Sequence, residues 1–225
     1  MAREKRARKA ARGERAALER TESERASIER VGSETSGETV AYIGVGSNLS
    51  AESHVLEAAA RLNREVRLLA ASNFYWSAPA GGRHQARFLN GVFAIATRRP
   101  PRELKREVLR PIEEALGRKR EADPDASRPI DLDLLLYGEL RIQENDLVLP
   151  DPKIEEHAFV AIPLLDVAPG LVLPGRAARL SESRIVSSVE DFEVAAEFTR
   201  KLRAWIVRLQ IRRAEERSDE QGPGC

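Results

Sequence analysis

The sequence predicts an α+β sandwich, a mostly antiparallel sheet with helices packed on its face. Three observations carry that prediction. Apolar runs of strand length alternate with amphipathic runs of helical period in the order strand, helix, strand, strand, helix, strand. The two consecutive strands are joined by a loop rich in Gly, Pro and Ala, and the second helix is opened by a pair of prolines and closed by a basic run. That element order is the ferredoxin-like one.

Val40 to Val45 reads as the first strand, stopped by Gly46, with Asn48 and Ser50 as candidates for starting the helix that follows. That helix, about Ala51 to Arg64, carries Val55, Leu56, Ala59 and Leu62 at helical spacing. Val66 to Ser77 looks like the next strand and Ala86 to Thr97 the third, with "APAGGRHQ" between them. Pro100 and Pro101 open a helix with Leu104, Val108, Leu109, Ile112 and Leu116 on its apolar side, and "GRKR" closes it. A polar loop, "EADPDAS", leads into the strand "SRPIDLDLLLYG".

The core-forming stretch, 39–176, is flanked by two extensions. Residues 1–38 are almost wholly Arg, Lys, Glu, Ala and Ser, with only Leu18, Ile28 and Val31 large and apolar after Met1, so they build no core. A solvated tail, disordered or frayed-helical, is the expectation, since interspersed glutamates cancel the charge a nucleic-acid arm would use. In 177–213 a helix should place Ala195, Phe198, Leu202, Trp205 and Leu209 on one stripe against the domain, and 214–225 should be a loose tail.

Composition narrows the function. Lys and Arg number 37 against 36 acidic residues, a formal charge of +1, so no global field draws the chain to nucleic acid or anionic membrane. The single cysteine, Cys225, excludes an intramolecular disulfide, and the three histidines stand far apart, which argues against a Cys/His zinc site. No apolar run approaches the roughly 18 residues of a membrane span. A cytoplasmic protein is expected, a monomer with a dimer left open.

In a strand, residues i and i+2 share a face, so Asp131 and Asp133 converge while Leu132 and Leu134 point the other way. Two such carboxylates suit magnesium, a hard cation usually held by one or two carboxylates together with substrate phosphates. The competing reading is a capped strand head salt-bridged to Arg128. Arg118 and Arg120 end the preceding helix, Arg128 stands three residues before Asp131, and Glu113 lies about one turn before Arg118. Arginine forks bind phosphate oxygens, so acids and arginines joined by a loop look like a magnesium-nucleotide site. "GRKR" by itself would be an ordinary basic helix end. Phe88 and Asn90 alternate on one face, where an aromatic plate beside an amide could hold a flat heterocycle.

Five blocks in register, "AYIGVGSNLS", "NFYWSAPAGGRHQARFLN", "IEEALGRKR", "RPIDLDLLLYG" and "FVAIPLLDVAPGLVLPG", resemble the 6-hydroxymethyl-7,8-dihydropterin pyrophosphokinases of folate biosynthesis over about Val40 to Gly175. The resemblance implies the ferredoxin-like fold and transfer of diphosphate from ATP to the pterin's hydroxymethyl group, with AMP as the other product. It implies that Asp131 and Asp133 hold two magnesium ions and that Arg118, Arg120 and Arg128 handle phosphate. ATP contacts fall to Arg110, Glu113, Arg118, Arg120, Arg128, Leu134, Asp151 and His157. Pterin contacts fall to Ser77, Ala78, Ala80, Phe88, Asn90 and Phe159.

Three departures are specific. Asp151 stands where the family commonly has a histidine, His157 where it commonly has an arginine, and "EADPDAS" replaces a mobile loop that often carries an Arg-Trp pair. The expected effect is fewer fixed cations around the phosphates, with Lys153 as a substitute by proximity. A non-catalytic descendant that binds nucleotide or pterin is the rival reading. An RNA-binding module of the same fold is disfavoured, because no Lys/Arg-G-F/Y motif is present.

Overall fold

The computed structural model describes residues 37–79, 85–119, 126–187 and 192–220. Strand β1 (Thr39–Ser47) runs down the middle of the sheet, antiparallel to β4 (Phe88–Thr97) on one side and to β5 (Asp131–Tyr137) on the other. Helix α1 (Ala51–Glu65) connects β1 to β2 (Arg67–Ala71), and both β2 and β3 (Tyr75–Ser77) pair with β4. The order β5, β1, β4, then β2 and β3, is the expected ferredoxin-like arrangement, and every pairing among the described strands is antiparallel.

The single strand expected over Val66 to Ser77 is in fact two. Ala71 pairs with Phe93 and Tyr75 with Asn90, so three residues on one side face two on the other, a one-residue bulge at Ser72 to Phe74. Helix α2 comprises Pro101–Glu103, a π-helical stretch Leu104–Leu109 and Arg110–Ala115. The wide turns fall just ahead of Pro111, which has no N–H to donate and whose ring crowds the preceding turn, so the Arg110 amide reaches back to Lys105 instead.

Alternation along β1 splits the core into two layers. Ala41, Ile43 and Val45 face α1 and α2, together with Leu132 and Leu134 of β5. The other face is covered as well, which the expectation of helices on one face did not include. The short hairpin β6 (Ile142–Glu144) and β7 (Leu147–Leu149) leads to α3 (Lys153–Glu156) and α4 (Ala158–Val167), and Val160, Ala161 and Leu164 pack on Val92, Ala94 and Leu135. That sequence is apolar nearly all round, so periodicity alone does not orient it.

After the one-turn helix α5 (Arg184–Ser187), β8 (Glu193–Val194) pairs with β3 and leads into α6 (Ala196–Glu220). Ala195, Phe198, Leu202 and Ile206 are buried against the first core layer, with Trp205 partly packed there. The stripe therefore drifts by one position, with Ile206 buried beside the predicted Trp205 and Leu209 only half-buried. The helix also continues into the stretch expected to be a loose tail. Residues 1–36, 80–84, 120–125, 188–191 and 221–225 lie outside the described residues, so the readings made there stay expectations.

Candidate active site

The second face of the sheet is left open near the head of β5, and there it forms a cleft of about 280 Å³. That volume lies at the lower end of small-molecule sites. Gly44 and Gly46 of β1 leave its floor bare. A Cβ on Gly46 would come to 3.1 Å from Asn90 Oδ1, and one on Gly44 to 3.2 Å from the Leu135 side chain. Because Gly46 pairs with both Asn90 and Asp131, the amide and the carboxylate stand on neighbouring strands across one glycine.

At one end of the cleft, Ser77 and Ala78 of β3, Phe88 and Asn90 of β4, and Phe159 of α4 line the wall. Asn90 Nδ2 donates to Ser77 Oγ at 2.9 Å, and among the described residues Oδ1 is left as the open acceptor of that amide. The His157 and Phe159 rings stack at 4.8 Å with planes 14° apart, and Arg128 lies 5.9 Å over the Phe88 ring.

At the other end the carboxylates are neutralised one by one. Arg118 donates to both Glu113 and Asp131 through one nitrogen, and Arg128 donates to the other Asp131 oxygen at 2.7 Å. Lys153 Nζ donates to Asp133 Oδ2 at 2.6 Å. Burial pushes Asp131 up, but Arg118, Lys153 and Arg128 together overturn it and hold the carboxyl below its usual range. Burial and the neighbouring Asp131 push Asp133 above its range, with Lys153 working against them. Glu113, 6% exposed, accepts the Leu132 amide at 2.7 Å and is raised by burial to about 7.

Two loops frame the cleft and Asn48 ties them together. Its Oδ1 accepts the Arg128 amide at 2.7 Å, and its Nδ2 donates to Ser127 Oγ at 3.1 Å and to the Ala86 carbonyl at 3.3 Å. Expected as a helix-start residue, Asn48 instead does its work across the chain. The helix begins at Ala51 without a side-chain cap.

Of the expected site residues, Ser77, Ala78, Phe88, Asn90, Arg128, Asp131, Asp133, His157 and Phe159 line the cleft. Arg118 and Glu113 support the head of β5 from behind. Asp151 does not line the cleft; its carboxylate accepts the Lys153 amide at 2.8 Å and so sets the turn that aims Lys153. The Leu134 side chain is buried in the opposite core layer. Arg110 stands apart on α2, its Nε buried with no acceptor among the described residues. Ala80 and Arg120 lie outside the described residues.

The donor set fits magnesium. Asp131 and Asp133 present oxygen ligands on one face of β5, and the described residues hold no cluster of three or more His, Cys, Asp or Glu of the kind a protein-only cage needs.

A ferredoxin-like sheet whose open face joins an acid-and-cation cluster to an aromatic pocket defines a phosphotransferase class of site. The family model described as 7,8-dihydro-6-hydroxymethylpterin-pyrophosphokinase matches residues 42–169, more than half of the chain. The chain belongs to that family. It is 39% identical over 159 residues to the 2-amino-4-hydroxy-6-hydroxymethyldihydropteridine pyrophosphokinase of Methylorubrum extorquens, covering 69% of this chain and 99% of that protein. A Pseudomonas aeruginosa protein of the same name is 40% identical over 137 residues, 59% of this chain and 83% of that one. Among solved structures, an HPPK-DHPS protein in complex with substrates superposes with a TM-score of 0.51 at 11% identity. The match covers 68% of this chain and 44% of that one, and it speaks to the fold alone.

Proposed function

We propose that this chain transfers diphosphate from ATP to the hydroxymethyl group of 6-hydroxymethyl-7,8-dihydropterin, giving AMP and the pterin diphosphate of folate biosynthesis. The observation that carries the reading is that the carboxylate pair Asp131/Asp133 and the pocket of Phe88, Asn90 and Phe159 open into one cleft. A nucleotide's phosphates and a pterin's hydroxymethyl group can therefore meet there.

Asp131 and Asp133 would hold magnesium, two ions being the expectation, and magnesium supplies charge neutralisation and acidity for the hydroxyl when bound. The protein's own part is positioning. The faces of Phe88 and Phe159 hold the flat ring, and Asn90 Oδ1 accepts from its amino and N–H edge. Arg128 and Lys153, backed by Arg118 behind the head of β5, place fixed positive charge where the phosphates must lie. The hydroxyl oxygen forms a bond to the β-phosphorus, and the bond from that phosphorus to the α,β-bridging oxygen breaks. AMP departs with the bridging oxygen, and the hydroxyl proton passes to solvent, so no dedicated protein base is required.

We further propose a monomeric cytoplasmic enzyme, with 39–176 as the catalytic unit, whose partners are these two small molecules and not nucleic acid or membrane. The near-neutral charge supports this, as does the lack, among the described residues, of a helix long and apolar enough to cross a membrane. The test is purified protein with ATP, magnesium and the pterin, scored for AMP and pterin diphosphate. Binding of both substrates with no AMP above background would make the chain a non-catalytic descendant.

A further inference from the structure

The bulge at Ser72 to Phe74 decides what β3 shows to the cleft. Ala71 lies in the α1 layer of the core, so strict alternation would send residues 73, 75 and 77 to that same buried side. The one extra residue reverses the parity. Tyr75 and Ser77 share a face with their partners Asn90 and Phe88 instead, which is why Ser77 can reach Asn90.

The backbone that the bulge frees is held from two sides. Ser72 closes on β4, its amide donating to the Val92 carbonyl at 2.9 Å and its Oγ accepting the Val92 amide at 2.8 Å. From α4, Asp166 Oδ2 accepts the Asn73 amide at 3.0 Å and the Tyr75 hydroxyl at 2.8 Å. From α6, Thr199 Oγ1 accepts the Phe74 amide at 3.0 Å, and Arg203 Nε donates to the Ala71 carbonyl at 3.0 Å. Asp166 lies two turns along the helix whose first turn carries Phe159.

We propose that Asp166 is a positioning residue for the pterin pocket, clamping the bulge that turns Ser77 toward the cleft to the helix that carries Phe159. It touches no reacting atom. The ATP end, built on β5, α2 and Lys153, shares none of these bonds, so the clamp governs pterin binding and leaves nucleotide binding alone. Thr199 and Arg203 complete it from beyond the residues that the family model matches. The inference rests on the reading of this pocket as the pterin site.

The test is Asp166→Ala, with Asp166→Asn and Tyr75→Phe as milder variants, measured for KM of each substrate, kcat, and pterin binding by calorimetry in the presence of a non-hydrolysable ATP analogue. Loss of a charged acceptor of two donors should raise KM and Kd for the pterin about tenfold, with KM for ATP and kcat changed by less than about threefold. Tyr75→Phe, which spares the bond from the Asn73 backbone amide to Asp166, should show a smaller rise in the same direction. If Asp166→Ala does not fold, Asp166→Asn decides by the same split, with a rise of about threefold or more in pterin KM as the threshold. Equal losses for both substrates, or a lower melting temperature with an unchanged pterin Kd, would overturn the proposal. Wild-type protein that binds no pterin in the same calorimeter would overturn the reading of the pocket instead.

Discussion

Lys153 Nζ stands 2.6 Å from Asp133 Oδ2 inside the cleft, which puts an ammonium where the altered 151–157 stretch was expected to leave a deficit of cations. Burial works against the ammonium, but Asp133 and then Asp131 outweigh it and hold its pKa above the ordinary lysine range. Lys153 is therefore charged at any working pH. The prediction is that Lys153→Met lowers kcat by about tenfold or more while pterin KM holds, and that Lys153→Arg recovers most of the loss. Steady-state kinetics with each substrate varied in turn checks this, and an unchanged kcat in Lys153→Met would remove the lysine from the phosphate site.

Asp131 and Asp133 are two residues apart on one strand, yet their surroundings differ. Asp131 receives Arg118 and Arg128, whereas Asp133 has Lys153 alone among the ion pairs of the described residues. Asparagine at either position should reduce turnover by about 100-fold or more, the scale of losing a key electrostatic group. Only Asp131→Asn should also lower the melting temperature measurably, because it removes the buried negative charge that two partly buried guanidinium groups share. Chelating the magnesium should abolish turnover in all forms. Near-normal activity in either variant would place the metals elsewhere.

Much of this arrangement was legible in the sequence because it depends on short-range rules. Period-2 alternation put Asp131 and Asp133 on one face, and the same rule put Phe88 beside Asn90. What escaped depends on residues far apart in the chain. Asn48 looked like a helix start because Asn at a strand-to-helix junction commonly is one, yet its amide spans to 86 and 127–128, pairings no local pattern encodes. The bulge escaped for a similar reason: Val66 to Ser77 is apolar enough for one strand, and its break is held by Asp166, Thr199 and Arg203, 90 or more residues away. Pro111 is a local signal for the irregular helix that the apolar spacing of Leu104, Val108, Leu109, Ile112 and Leu116 does not carry.

Glu113 titrates in a window where the sign can be worked out. Its ordinary value is 4.5, and burial, only partly offset by Arg118 and the Leu132 amide, raises it to about 7 in the fold. Between those values the folded chain keeps a proton that the unfolded chain has released. Stability from this group is thus full below about 4.5 and is lost as pH rises through about 7, an effect of at most about 3 kcal/mol. Glu113→Gln cannot ionise. The melting temperature of the variant relative to wild type, measured without magnesium or nucleotide, should therefore climb between pH 5 and pH 8. A flat difference across that range would mean that Glu113 stays ionised throughout.

Two glycines on neighbouring strands separate stability from binding. A Cβ on Gly91 would lie 2.6 Å from the Phe74 ring, which is fully buried and packed on Phe93 and Phe198, so the ring or the strand must shift. A Cβ on Gly46 would meet Asn90 Oδ1 at 3.1 Å, on the floor of the cleft, where open space lets the amide turn aside. Gly91→Ala should therefore destabilise by about 1–3 kcal/mol in denaturant melts, the usual range for overpacking a core. Gly46→Ala should melt close to wild type but raise pterin KM several-fold, because the displaced Oδ1 is the acceptor left open among the described residues after Asn90 donates to Ser77. The opposite pattern, a stable Gly91→Ala and an unstable Gly46→Ala with normal pterin KM, would mean that the core and the cleft floor have been assigned to the wrong faces of the sheet.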